Sequence, residues 1–185
     1  ELLTFEEIAR LVEVFTRLGV EKVRLTGGEP LVRRDLPDLV AQLAAIPGVR
    51  DLTLTTNGVL LAGHAKILAA AGLRRVTVSL DADDDETFMR MNDVGVPVAR
   101  VLAGIDAAEA AGLGPIKVNM VVKRGWNEHA VLPMARRFRG TGHVLRFVEY
   151  MDVGSSNGWR LDEVVTAAEI LAMVGADFPL EPIPP

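Results

Sequence analysis

The chain has 185 residues, 49% of them hydrophobic, a net charge of −5 and a pI near 5.3. That length supports one sizeable core, the acidic balance argues against a nucleic-acid-binding surface, and the longest apolar runs fall far short of the roughly 20 residues of a membrane span. There is no cysteine, so these residues form no disulfide and supply no thiolate to a metal centre.

Thr4 followed by Glu7 fits a capping box, and Ile8, Leu11, Val12, Phe15 and Leu18 recur at helical spacing until Gly19. "VEKVRLT" then reads as a strand, followed by Gly27-Gly28-Glu29-Pro30. Asp35 is expected to cap a helix through Ile46, with Pro37 tolerated in its first turn. "DLTLTTNG" is the next strand and turn, "LAGHAKILAAAG" a helix, and "LRRVTVSLD" a strand of alternating character. A short helix and polar loop occupy residues 84–95, and "PVARVLAGIDAAEAAG" is a helix ending at Gly112. "PIKVNMVVKRG" is a strand, "NEHAVLPMARRFR" a helix with Pro133 inside it, "HVLRFVEYM" a strand and "TAAEILAMVG" the last helix.

Strands separated by helices imply parallel pairing with right-handed crossovers, which leaves a doubly wound sheet or part of a β/α barrel. A full eight-unit barrel takes about 250 residues, so five units make an arc. An open edge is expected to expose apolar surface and favour association, which leaves a homodimer open. The ends read as cut: the chain opens in helix-forming text without an initiator methionine and closes on "DFPLEPIPP". Residues 1–175 are therefore read as one partial barrel domain and 176–185 as a proline-rich linker to a further segment. No basic-then-apolar leader opens the chain, so a cytoplasmic protein is expected.

In both candidate folds ligands meet the carboxyl ends of the strands. Those ends here read Thr26-Gly27-Gly28-Glu29-Pro30, Thr55-Thr56-Asn57-Gly58, Ser79-Leu80-Asp81, Asn119 to Gly125, and Glu149-Tyr150-Met151. Five hydrogen-bonding ends in register point to a site on one rim. Glu29 needs a cationic partner, either Arg33 or Arg34 or the ammonium group of a ligand. Lys22 shares a strand face with Arg24, as Lys117 does with Asn119, and Lys123, Arg124 and Arg146 lie on or beside strands. Such cations call for an anionic ligand or for internal pairing with Asp81 or Glu149. None of His64, His129 and His143 has the spacing of a metal pair, and Met89 and Met91 read as core or loop residues.

"VRLTGGEPLVRRDL", "LTTNGVLL", "VTVSLD", "IKVNMVVKRGWNE" and "LRFVEYMDVGSSNGW", in this order and spacing, resemble the radical S-adenosylmethionine (radical SAM) family of GTP 3′,8-cyclases in molybdenum cofactor biosynthesis. The resemblance covers nearly the whole chain. It implies an α/β fold, an incomplete (β/α) barrel of the radical SAM type, present as a central fragment of about five parallel strands with alternating helices. It further implies two [4Fe-4S] clusters and S-adenosylmethionine as cofactors, with GTP as substrate. A 5′-deoxyadenosyl radical takes the 3′ hydrogen of GTP, and the cyclised product passes to cyclic pyranopterin monophosphate synthase as functional partner. Carried over residue by residue, it assigns Gly28, Ser79 and Met151 to S-adenosylmethionine, with Gly27 and Glu29 shaping the same loop. Arg24, Thr55 and Lys117 are assigned to GTP, Arg146 is a further candidate near substrate, and no residue is assigned as catalytic. The family's cluster cysteines are expected outside the two ends of this sequence, so this chain alone is expected to be inactive. Two other readings stay open: a different radical SAM enzyme such as a peptide-modifying maturase, and a non-catalytic nucleotide-binding barrel.

Overall fold

Alternation along the strands organises the architecture, because successive side chains on a strand point to opposite faces. The computed structural model describes residues 3–92, 95–153 and 158–182. Its strands are β1 (Lys22–Leu25), β2 (Asp51–Thr56), β3 (Arg75–Ser79), β4 (Lys117–Val122) and β5 (Val144–Glu149). They form one sheet in the order β1-β2-β3-β4-β5. The helices are α1 (Phe5–Arg17), α2 (Leu36–Ala44), α3 (Leu61–Ala70), α4 (Asp85–Asn92), α5 (Val98–Ala110), α6 (Val131–Phe138) and α7 (Ala167–Gly175). Sequential strand order with helical crossovers is the topology of part of a β/α barrel. The chain divides into two compact units, residues 1–79 with 99–117, and residues 80–98 with 118–185.

In the first unit β1 and β2 pair in parallel with Arg24 opposite Thr53, and β2 and β3 with Thr53 opposite Arg75 and Thr55 opposite Thr77. This register sorts the side chains into two sets. Leu52, Leu54, Val76 and Val78 fall on one face and are buried. Helix α2 packs on β2 and buries Leu36, Leu39, Val40 and Leu43. Each fully buried side chain of this kind contributes roughly 1.5–3 kcal/mol. The other face carries Lys22, Arg24, Asp51, Thr53, Thr55, Arg75, Thr77 and Ser79, and most of these retain solvent exposure.

Helix α1 has the expected cap: Thr4 Oγ1 accepts from Glu7 N and the Glu7 carboxylate accepts from Thr4 N. Asp35 departs from expectation. It stands before α2 in the left-handed region, at φ 57°, and makes no side-chain cap bond. A short polar residue tolerates that conformation, and the turn geometry sets it rather than the cap.

In the second unit α6 and α7 pack on β5 and on each other. The helix expected over 127–139 is broken into a 3₁₀ turn at Glu128–Ala130 and α6 from Val131. Pro133 explains the break, since it has no N–H to donate and its ring opposes a helical carbonyl four residues back. Thr166 and Glu169 form a second capping box at the start of α7. Phe178, Pro179 and Leu180, in the stretch read as a linker, line an apolar groove with Phe138, Leu145 and Phe147.

Candidate active site

In the first unit, β1 runs directly into the glycine pair, with Gly27 at φ 103° and Gly28 at φ 48°. Both glycines are exposed, and a Cβ at either would meet nothing within 4 Å. The positive φ rather than crowding therefore explains the glycines, and their backbone lies open to a ligand. Glu29 follows and starts the 3₁₀ turn Pro30–Val32, accepting from Leu31 N at 3.0 Å. Its Oε1 also accepts from Thr56 Oγ1 at 2.7 Å, and its Oε2 from Asn57 N at 2.7 Å. This answers the question of its partner: neither Arg33 nor Arg34 supplies it. Arg33 instead donates to Leu3 O and lies over the Phe5 ring. A carboxylate satisfied by a hydroxyl and two backbone N–H groups needs no cation, and here it ties the glycine loop to the end of β2.

The end of β2 is built as tightly. Thr56 Oγ1 accepts from Gly58 N, and Asn57 Oδ1 accepts from Val59 N. A Cβ on Gly58 would stand 2.8 Å from Val101 and 2.9 Å from Val78, so the turn presses onto its neighbours. Just before it, Thr55 Oγ1 is buried without a hydrogen-bond partner. Buried hydroxyls seldom stay unpaired, so this atom is suited to a ligand group. Ser79 closes β3, half-buried.

Below this rim, Arg24, Thr53, Arg75, Thr77 and Lys117 line one crevice together with Val76 and Pro115. Arg24 and Lys117, expected one barrel sector apart, are separated in the sheet order by β2 and β3 yet meet in this crevice. The premise that such cations are buried in a sheet covered on both faces is corrected for Lys22 and Arg24, which are exposed. Asp81 and Glu149 are not the counter-charges observed. Lys22 and Arg75 pair with Asp51, Lys123 with Glu163 and Arg124 with Glu169. Glu149 Oε1 accepts from Ala167 N instead. Thr53, Arg75 and Thr77 were not singled out from sequence, although period-two alternation on a registered strand pair was a signal for them.

The second unit holds Asp81, Asn119, Arg146 and Met151. Asp81 is 9% exposed and its Oδ1 accepts from Val121 N at 2.8 Å. Burial pushes its carboxyl up to about 6, against that one stabilising backbone bond. The fully buried Asn127 donates to Asp81 O and Val121 O, and accepts from Lys123 N. Asn119 Oδ1 is a second buried polar atom without a partner. Arg146 and Met151 line one pocket with Tyr150 and Trp159, whose Nε1 donates to Tyr150 O. Lys123 lies against the Trp126 and Tyr150 rings at 4.3 and 4.6 Å. Gly154 to Asn157, within the last quoted motif, lie outside the described residues.

Among the described residues no group of His, Asp and Glu is arranged to hold a metal ion, and no helix is long and apolar enough to cross a membrane. Residues 1–138 match the radical SAM superfamily. The chain belongs to the radical SAM superfamily. As a radical SAM chain it is 58% identical over 185 residues to a GTP 3′,8-cyclase of Acidothermus cellulolyticus, covering 100% of this chain and 51% of that protein. It is 57% identical over 178 residues to a GTP 3′,8-cyclase of Xanthomonas axonopodis pv. citri, covering 96% of this chain and 53% of that one. The chain thus spans about half the length of the curated relatives it matches. Among solved structures it superposes on methylornithine synthase with a TM-score of 0.73 at 17% identity, covering 94% of this chain and 52% of that one.

Proposed function

We propose that the protein to which this radical SAM chain belongs is a GTP 3′,8-cyclase, converting GTP to (8S)-3′,8-cyclo-7,8-dihydroguanosine 5′-triphosphate. The observation that carries this reading is the 58% identity to a GTP 3′,8-cyclase along the full length of the chain, and the lining of one crevice by Arg24, Arg75 and Lys117 agrees with it. Such a concentration of cations suits a substrate with several phosphate charges and disfavours the peptide substrate of a maturase.

The residues present fit S-adenosylmethionine: the open Gly27-Gly28 backbone and the half-buried Ser79 leave polar room on the rim. They do not fit an iron–sulfur cluster, because the chain has no cysteine, so the ligands of both [4Fe-4S] clusters are assigned to parts of the protein outside this chain. S-adenosylmethionine, when bound in the full-length protein, would supply the 5′-deoxyadenosyl radical chemistry directed at the 3′ hydrogen of GTP. Gly28 would meet the amino-acid end of that cofactor, Ser79 would hydrogen-bond it, and Met151 of the second unit is assigned to its adenosyl part by the family resemblance. Arg24 grips phosphate oxygens in a two-pronged contact, Lys117 acts as a point charge and Thr55 binds the same nucleotide. Arg146, in the second unit, is a further candidate for substrate contact, and the product passes to cyclic pyranopterin monophosphate synthase. This chain alone is inactive on this reading.

The test is a titration of GTP and of S-adenosylmethionine against the full-length protein and its Arg24→Ala and Lys117→Ala variants. A charge-assisted hydrogen bond contributes roughly 1.5–3 kcal/mol, so each variant is expected to lose about 10- to 100-fold in GTP affinity while retaining S-adenosylmethionine. Unchanged GTP affinity with weakened S-adenosylmethionine binding overturns the division of the site.

A further inference from the structure

One ion pair on the polar face of the first unit is not used by the function described so far. Asp51 opens β2 and Arg75 opens β3, in register with Lys22 and Thr53 respectively. Arg75 Nε donates to Asp51 Oδ1 at 3.1 Å, and its Nη2 donates to Oδ2. Lys22 Nζ lies 3.7 Å from the same Oδ2. Arg75 also lines the crevice with Arg24 and Lys117. Lys22, Arg24, Arg75 and Lys117 thus lie on or beside this face with Asp51.

Exposed ion pairs contribute little to stability, and the side chains of Arg75 and Asp51 are 23% and 29% exposed, so the pair is only partly withdrawn from solvent. Its geometry carries more information than its energy. A guanidinium has five donors in a rigid plane, and Asp51 occupies the edge formed by Nε and Nη2. The Nη1 side remains to be aimed, and a carboxylate gripping the opposite edge fixes that direction. The Arg75 guanidinium in turn holds the Asp51 carboxyl below the usual carboxylate range, so the grip persists at neutral pH.

We propose that Arg75 is a phosphate-binding, specificity-determining residue of the substrate site, and that Asp51 orients its guanidinium for that contact. The proposal rests on the nucleotide reading above and deepens it. Arg24 and Lys117 alone accept any anion of suitable size, whereas a third, rigidly aimed cation selects a nucleoside triphosphate over a monophosphate. Asp51 acts through Arg75 and is a positioning residue. A mere counter-charge behaves in the opposite way, because removing it leaves the face more positive and strengthens the binding of every anion.

The experiment measures equilibrium binding of GTP, GMP and guanosine to the full-length protein and to Arg75→Gln, Arg75→Lys and Asp51→Asn, with circular dichroism and S-adenosylmethionine affinity as checks on folding. Arg75→Gln is expected to lower GTP affinity by about 10- to 100-fold, with guanosine affinity unchanged. Arg75→Lys, which keeps the charge and loses the fork, recovers only part of that affinity and decides the matter if the Gln variant does not fold. Asp51→Asn is expected to reduce the preference for GTP over GMP despite the added positive charge. The proposal is overturned if wild-type protein prefers GTP while both Arg75 variants match it, or if Asp51→Asn sharpens the preference. If the wild-type protein binds guanosine and GTP equally, the nucleotide reading itself fails, and the two failures are distinct.

Discussion

Two faces of the same short strands, β1 to β3, have opposite lives. On one, Leu52, Leu54, Val76 and Val78 are sealed under helices, at 0–2% exposure. On the other, Arg24, Asp51, Thr53, Arg75 and Thr77 alternate with them residue by residue and surround a crevice or an ion pair. The backbone hydrogen bonds are common to both, so the difference lies wholly in what each face meets. One face is held by apolar burial, and the other is free to carry charge because its stability is not needed from it. The consequence is a division of labour at a spacing of one residue.

The sharpest way to break this comparison is to cut the same strand on each face. Leu54→Ala, at a fully buried position, is expected to destabilise the protein by about 2–5 kcal/mol through lost burial and a residual cavity. Thr53→Ala, one residue away, removes a hydroxyl with only a long 3.4 Å bond to Val23 O, and is expected to cost under about 1 kcal/mol. Denaturant midpoints of the two variants test this. Equal losses contradict the functional division of the faces.

Asp81 sharpens the comparison from another side, since it combines the burial of one face with the chemistry of the other. Its carboxyl is raised from the ordinary 3.8 to about 6 by burial, so between those values the folded protein holds a proton that the unfolded chain releases. The associated stabilisation is present below pH 4 and disappears as the pH rises through about 6, which corresponds to about 3 kcal/mol. Asp81→Asn keeps an oxygen to accept from Val121 N and removes the titration. The variant is expected to gain on wild type as pH rises from 4 to 7, measured by denaturant unfolding at both values. A pH-independent difference contradicts the assignment.

Much of this layout was legible in the sequence because its signals are local. The capping box read at Thr4–Glu7 needs only three residues of separation, and it forms; the same signal at Thr166–Glu169 was there to read and went unnoticed. Strand positions were legible from alternation, and the glycine pair from its place behind an apolar run. What stayed hidden depends on partners distant in the chain. Glu29 finds its acceptor role with Thr56 and Asn57, which only the parallel register brings near. Lys22 and Arg24 are exposed on β1, at the end of the strand order, while Thr53 and Thr77 on the same face of β2 and β3 are buried, and strand composition does not report that difference. Arg75 escaped notice because its neighbours in the crevice come from β1, β2 and the start of β4. Asp35 looked like a cap by residue type, while its left-handed backbone places it in the turn instead.

The account's central claim is that the cationic crevice serves a nucleotide whose 3′ hydrogen is taken by a radical derived from S-adenosylmethionine. The most direct measurement uses GTP carrying deuterium at C3′, incubated anaerobically with the reconstituted full-length protein, S-adenosylmethionine and a reductant. The account predicts 5′-deoxyadenosine bearing one deuterium, together with loss of that label from the cyclised nucleotide, both read by mass spectrometry. Formation of 5′-deoxyadenosine without deuterium, with the nucleotide left intact and fully labelled, would contradict it.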